Sequence, residues 1–92
     1  MKTFLISYDL SMPEGREDYR QLINYIKTFS NWAKPLQSVF LVKSDKNAGQ
    51  IRNELKRYLD NTDKLLVIEV RNHWGTFNIN KKVTAWMRTR LL

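Results

Sequence analysis

The chain has 92 residues, 42% of them hydrophobic, and a formal charge of +7 from 16 Lys plus Arg against 9 Asp plus Glu. That length supports one core and so one domain over 1–92, and the apolar share excludes an intrinsically disordered chain. With no cysteine there are no disulfides or thiolate metal sites, and no apolar run nears the roughly 18 residues of a membrane span.

The opening "MKTFLISYDL" has a positive residue and a short apolar run, but Asp9 interrupts it too early for a signal peptide. A cytoplasmic protein with no membrane partner is therefore expected. The surplus of positive charge favours a polyanion, chiefly nucleic acid, through release of condensed counterions. The alternative is that the charge serves only solubility.

In chain order, "TFLISYDL" (3–10) alternates as a strand. Phe4, Ile6 and Tyr8 point one way, toward the helices, while Thr3, Leu5, Ser7 and Asp9 point the other. "SMPEG" is a loop punctuated by Pro13 and Gly15. From about Arg16 to Phe29, Tyr19, Leu22, Ile23, Ile26 and Phe29 recur three or four apart, the stripe of an amphipathic helix.

"WAKPLQSVFLVK" (32–43) is β-rich, and Pro35, which donates no ladder hydrogen bond, marks an edge or a break between two strands. "SDKNAG" leads into a second helix whose inner stripe is Ile51, Leu55, Tyr58 and Leu59. "DNTDK" is a turn, and "LLVIEVR" (65–71) is a strand. "TFNI" after Gly75 is a candidate short strand. Residues 80–91 read as a third helix, capped by Asn80, with Val83, Trp86 and Met87 on one side.

With two strands between the first two helices this order is the α+β split βαβ, the ferredoxin-like plait βαββαβ. Its core is 1–75, and 76–92 form a C-terminal extension. The plait leaves one sheet face open, and a homodimer through that face is the simplest cover.

Asp9 falls at the tip of the first strand, on the open face with Ser7 and Leu5. One carboxylate is too little for magnesium, which takes hard oxygen ligands and keeps several waters. A twofold axis near Asp9 would pair two copies, and Mg2+ between them would relieve their repulsion and activate water against a phosphodiester. The competing reading is that Asp9 begins a turn or caps the first helix.

Other polar groups carry weaker signals. His73, the single histidine, is a turn residue in "RNHWG" or a general base. No nucleophile-elbow context supports a triad of Ser7 or Ser38 with His73. Glu69 either pairs with a cation or joins Asp9 in an acidic cluster. Trp32 with Lys34, and Trp74 with Lys81 and Lys82, interleave aromatics and cations as base-stacking sites do. Arg52, Lys56 and Arg57 are a solvated helix face or a phosphate track.

"FLISYDL", then a helix, then "LQSVFLV" resembles the small CRISPR-associated adaptation proteins, the second Cas protein family, including its toxin-like relatives. The matched order continues through 65–71. Tyr8 and Asp9 stand at the family's Tyr-Asp pair, and Ser38, Val39 and Phe40 at its Ser-Val-Phe segment. Arg16 and Arg20 lie where the family carries basic residues early in the first helix. The resemblance implies a homodimer with open sheets facing, Mg2+ shared between paired Asp9, RNA or DNA as partner, and a CRISPR integrase subunit as a further one. It implies either metal-dependent endonuclease activity or a non-catalytic scaffold role in spacer acquisition, with a toxin-like ribonuclease as a third setting.

On this reading Asp9 is the catalytic and metal residue. Tyr8, Arg16, Arg20, Lys34, Ser38 and Phe40 form the nucleic-acid surface. The tail "WGTFNINKKVTAWMRTRLL" departs from the family's short ending, a last strand that reaches onto the partner subunit.

Overall fold

The computed structural model describes residues 1–11 and 17–91, apart from the side chain of Asp18. Its elements are β1 (Lys2–Asp9), α1 (Glu17–Ile26), β2 (Asn31–Leu36), β3 (Val39–Ser44), α2 (Ala48–Lys56), β4 (Lys64–Val70) and α3 (Lys81–Arg90). The strands form one antiparallel sheet in the order β2-β3-β1-β4. With α1 and α2 packed on one face, the architecture is compatible with the ferredoxin-like plait expected from the sequence.

Alternation in β1 decides what each face holds. Phe4, Ile6 and Tyr8 turn toward the helices and are buried. They join Phe40 and Val42 of β3, Leu22 and Ile26 of α1, and Ile51 and Leu55 of α2 in the main core. Each such side chain contributes about 1.5–3 kcal/mol on burial. The α1 stripe runs as its spacing predicts, although the helix stops at Ile26. Past that point Thr28 and Phe29 donate their amides three residues back, to Tyr25 and Ile26, tightening the chain into a turn.

The helix α2 starts where Asn47 takes a capping-box geometry: its side chain accepts from the Gln50 amide at 2.9 Å, and Gln50 Oε1 accepts from the Asn47 amide at 2.9 Å. A cluster ties α2 to α1. Tyr25 donates its hydroxyl to Glu54, and Lys46 donates to the other oxygen of that carboxylate. The Arg57 guanidinium lies over the rings of Tyr25 and Tyr58, at 5.5 and 5.4 Å.

Gln37 and Ser38 connect β2 and β3 in two residues, so the stretch from 32 to 43 holds two strands. Pro35 sits on the edge strand β2, inside a register shift between Ala33 and Leu36. Pro35 thus marks an edge, while the break between the two strands falls beyond it, at Gln37 and Ser38; the missing amide of proline is harmless on an edge.

Two findings differ from the sequence expectations. Residues 76–79 form no strand: Asn78 has φ 57° and lies in the left-handed region, which breaks any extended run. More consequentially, the open face is covered in part by the chain itself. Asn80 accepts from the Lys82 amide at 2.8 Å and starts α3. The helix then lays Met87 and Leu91 on Leu41 of β3, with Leu5, Val70, Trp74, Val83 and Trp86 around them. Arg90 donates to Asn31 Oδ1 at 2.9 Å, and Lys43 donates to the Arg90 carbonyl. An expected appendage is thus a second, smaller core.

Candidate functional site

Because neighbouring strands run antiparallel, the C-terminal end of β1, the N-terminal ends of β3 and β4 and the C-terminal end of β2 share one end of the sheet. Ser7 faces Val39, Val39 faces Leu36, and Asp9 faces Lys64. The Tyr8 amide donates to the Ser38 carbonyl at 3.1 Å, carrying the β1–β3 ladder to the last residues before the tip. The Tyr-Asp pair and the Ser-Val-Phe segment, thirty residues apart in the chain, are therefore hydrogen-bonded neighbours.

Asp9 is exposed at that tip, on the side of the sheet opposite α1 and α2. Ser38 is half-buried beside it. Lys34 is exposed near the end of β2, its ammonium 5.7 Å from the Phe40 ring. Arg20 is exposed in α1 and donates to Glu17 Oε2 at 3.0 Å. The start of α1 lies over this end, since Tyr19 meets Tyr8 edge-on at 6.3 Å. Arg16 lies outside the described residues.

Tyr8 and Phe40 stand elsewhere. Both are buried under the helices, with ring centroids 6.4 Å apart and planes at 25°. Alternation puts them on the face away from Asp9, so they support the tip from beneath and offer no ring to a ligand. Glu69 also faces away from Asp9, at the far end of β4 opposite Phe4. His73 and Trp74 belong to the segment leading to α3, where Trp74 donates its indole N–H to Asn72 at 3.1 Å.

Two residues at the tip escaped the sequence reading. Asp63, read only as part of a turn, clamps the chain as it leaves β1: its Oδ1 accepts from the Ser11 amide at 2.9 Å and from the Ser11 hydroxyl at 3.2 Å. Its Oδ2 accepts from the Asp60 amide at 2.8 Å. Lys64 follows and places a cation across the ladder from Asp9. The paired acids of "DNTDK" are the only sequence signal for the clamp, and they signal a turn equally well.

The donor set bears on metal binding. Asp63 is committed to three hydrogen bonds, and among the described residues no group of three His, Asp or Glu side chains could hold an ion. Among the described residues Asp9 is the acid of the tip that no such group includes. That fits magnesium only as one carboxylate from each of two chains, with water and phosphate oxygens completing the shell.

Ionisation elsewhere is shaped by the α1–α2 tie. The hydrogen bond to Glu54 pushes Tyr25 up to about 12, aided by burial. Lys46 and the Tyr25 hydroxyl hold Glu54 below the usual carboxylate range. This cluster lies on the helix side of the fold.

On the open face, Leu36, Leu66 and Ile68 remain exposed beside the part that α3 covers. A groove of about 450 Å³ runs along α3, lined by Leu5, Val39, Leu41, Trp74, Phe77 and Met87 among others. Among the described residues no helix is long and apolar enough to cross a membrane.

No curated protein matches the chain. The family of the CRISPR associated protein Cas2 matches residues 1–76, from the start of β1 to the segment before α3. That span includes both motif segments and the strand end where they meet. The chain belongs to the CRISPR-associated Cas2 family.

Proposed function

We propose that the protein is a dimeric, nucleic-acid-binding Cas2 in which paired Asp9 carboxylates hold Mg2+ and the assembly cleaves phosphodiesters. The observation that carries this reading is the exposed Asp9 at the β1 tip with Lys64 across the ladder from it, beside the main-chain junction of the two motif segments; Lys34 and Arg20 are exposed cations on the helix side of the sheet. The cations position phosphates. Ser38 shapes the wall through its main-chain bond to Tyr8, and Tyr8 and Phe40 fix the tip from the core. When bound, the ion supplies an activated water and charge neutralisation at the phosphate. Asp63 holds the Ser11 turn so that Asp9 keeps its position. The dimer forms through the strip of the open face that α3 leaves uncovered.

The test is metal-stimulated cleavage of RNA and DNA oligonucleotides by the purified chain and by Asp9→Asn. Loss of cleavage with the dimer intact is expected. Undiminished cleavage by the variant overturns the assignment of Asp9.

One observation favours a second reading, a non-catalytic scaffold that works with an integrase subunit: across the ladder from Asp9 stands a cation, Lys64, and not a second acid. In that case binding in EDTA equals binding in magnesium, and no cleavage appears at any metal concentration. Growth arrest on expression, lost in Asp9→Asn, marks the toxin-like ribonuclease setting.

A further inference from the structure

After Glu69 the sequence contains Arg71, Lys81, Lys82, Arg88 and Arg90 and no acid, so five of the seven net charges fall in the last 23 residues. Most of them sit on α3, beyond the residues that match the family. The helix turns Val83, Trp86, Met87 and Leu91 to the sheet. Lys81, Lys82, Ala85, Arg88 and Thr89 are left exposed on its outer side. No ion pair joins α3 to another of the described residues; pairs elsewhere include Met1 with Asp45, Arg20 with Glu17 and Lys46 with Glu54. Arg90 is engaged with Asn31 and Thr89. Lys81, Lys82 and Arg88 are not engaged in this way.

Of these three cations only Arg88, in the last turn, complements the helix dipole. Lys81 and Lys82 stand in the first turn, where positive charge opposes the helix dipole, and no acid offsets them. From Lys81 to Arg88 the helix rises about 10 Å, close to three base-pair steps of a duplex. A membrane surface is the less suitable partner. Helices that lie on lipid insert an apolar face, and α3 has already buried its own against Leu41 and Leu5.

We infer that the outer face of α3 is a phosphate-backbone contact, made by Lys81, Lys82 and Arg88, that extends the nucleic-acid surface beyond the family-matched core. The inference rests on the nucleic-acid reading above and adds a second, sequence-independent contact to it. Lysines act there as point charges and the arginine as a fork on phosphate oxygens.

The experiment is fluorescence anisotropy with a DNA duplex and a single-stranded RNA, titrated from about 50 to about 200 mM salt. It compares the full chain with the triple variant Lys81→Gln/Lys82→Gln/Arg88→Gln. Loss of three phosphate contacts should flatten the salt dependence. Over that fourfold range the parent should then lose about 40-fold more duplex affinity than the variant, and about 20-fold more RNA affinity. The Lys81→Arg/Lys82→Arg variant should keep the parental slope. A thermal melt of the triple variant close to that of the parent establishes that the helix is still docked.

If the parent binds and the triple variant shows the same slope, this inference fails while the Asp9 reading stands. If the parent binds neither polymer, the nucleic-acid reading fails and takes this one with it. Binding to phosphatidylserine vesicles that the triple substitution abolishes, with the nucleic-acid slopes unchanged, overturns the inference in favour of lipid.

Discussion

Replacing Leu66 and Ile68 by glutamine tests the proposed dimer where the structure is most explicit. Both side chains point away from α1 and α2 on β4, and they are 55% and 49% exposed in the single chain. Full burial of such a side chain contributes about 1.5–3 kcal/mol, and half of that area is already removed from water, leaving about 1 kcal/mol each. A twofold contact contains every residue twice. Four side chains then contribute about 4 kcal/mol, so the double substitution should weaken dimerisation about 1000-fold. Sedimentation equilibrium from about 1 µM to about 1 mM covers the affinities concerned. The fold of the single chain should survive at a cost of no more than about 2 kcal/mol, since only the half of each side chain already removed from water is at stake there. An unaltered association constant would refute the reasoning, and so would a parent that stays monomeric throughout.

The α1–α2 tie should give stability a defined pH dependence. Glu54 is held below the usual carboxylate range, so its contribution is present above the unfolded value of about 4.3 and is lost as pH falls through the folded one. Lys46 is half exposed, which screens the pair. Glu54→Gln should therefore cost only about 1 kcal/mol near neutral pH, or about 4–8 °C in Tm. That gap should close on acidification, and a gap independent of pH would contradict the assignment. Asp63→Ala should expose the Ser11 amide to hydrogen exchange and lower stability by about 1–2 kcal/mol, since bonds to a charged acceptor are lost at a wet site. Unchanged exchange at Ser11 would remove Asp63 from its clamping role.

Much of the α+β fold was legible because its signals are periodic. Alternation assigned Phe4, Ile6 and Tyr8 to the core, three-and-four spacing located α1 and the inner stripe of α2, and Pro35 marked an edge. What escaped depends on long-range docking. The stripe of Val83, Trp86 and Met87 announces that α3 buries a face, but nothing in it names Leu41 and Leu5 as the surface. "TFNI" has strand composition, and only the left-handed backbone of Asn78 denies it.

At the candidate site, the chain reading placed Asp9 at the tip of β1, where it stands, but not its surroundings. Lys64 and Asp63 reach the tip through the β1–β4 register, a property of the folded sheet. Tyr8 and Phe40 carry the motif, yet a motif does not distinguish residues that touch a ligand from those that hold the touching residue in place. Here the pleat makes that distinction, putting both rings beneath the helices.

The two borders of the sheet are unequal. On β2, Pro35 withholds an amide and the ladder is interrupted between Ala33 and Leu36, whereas β4 runs regularly from Lys64 to Val70. Among the described residues β4 is therefore the more regular seam for main-chain growth. Two such seams joined together would leave the proline-bearing β2 strands as the outer margins, a border poorly suited to recruiting a further strand.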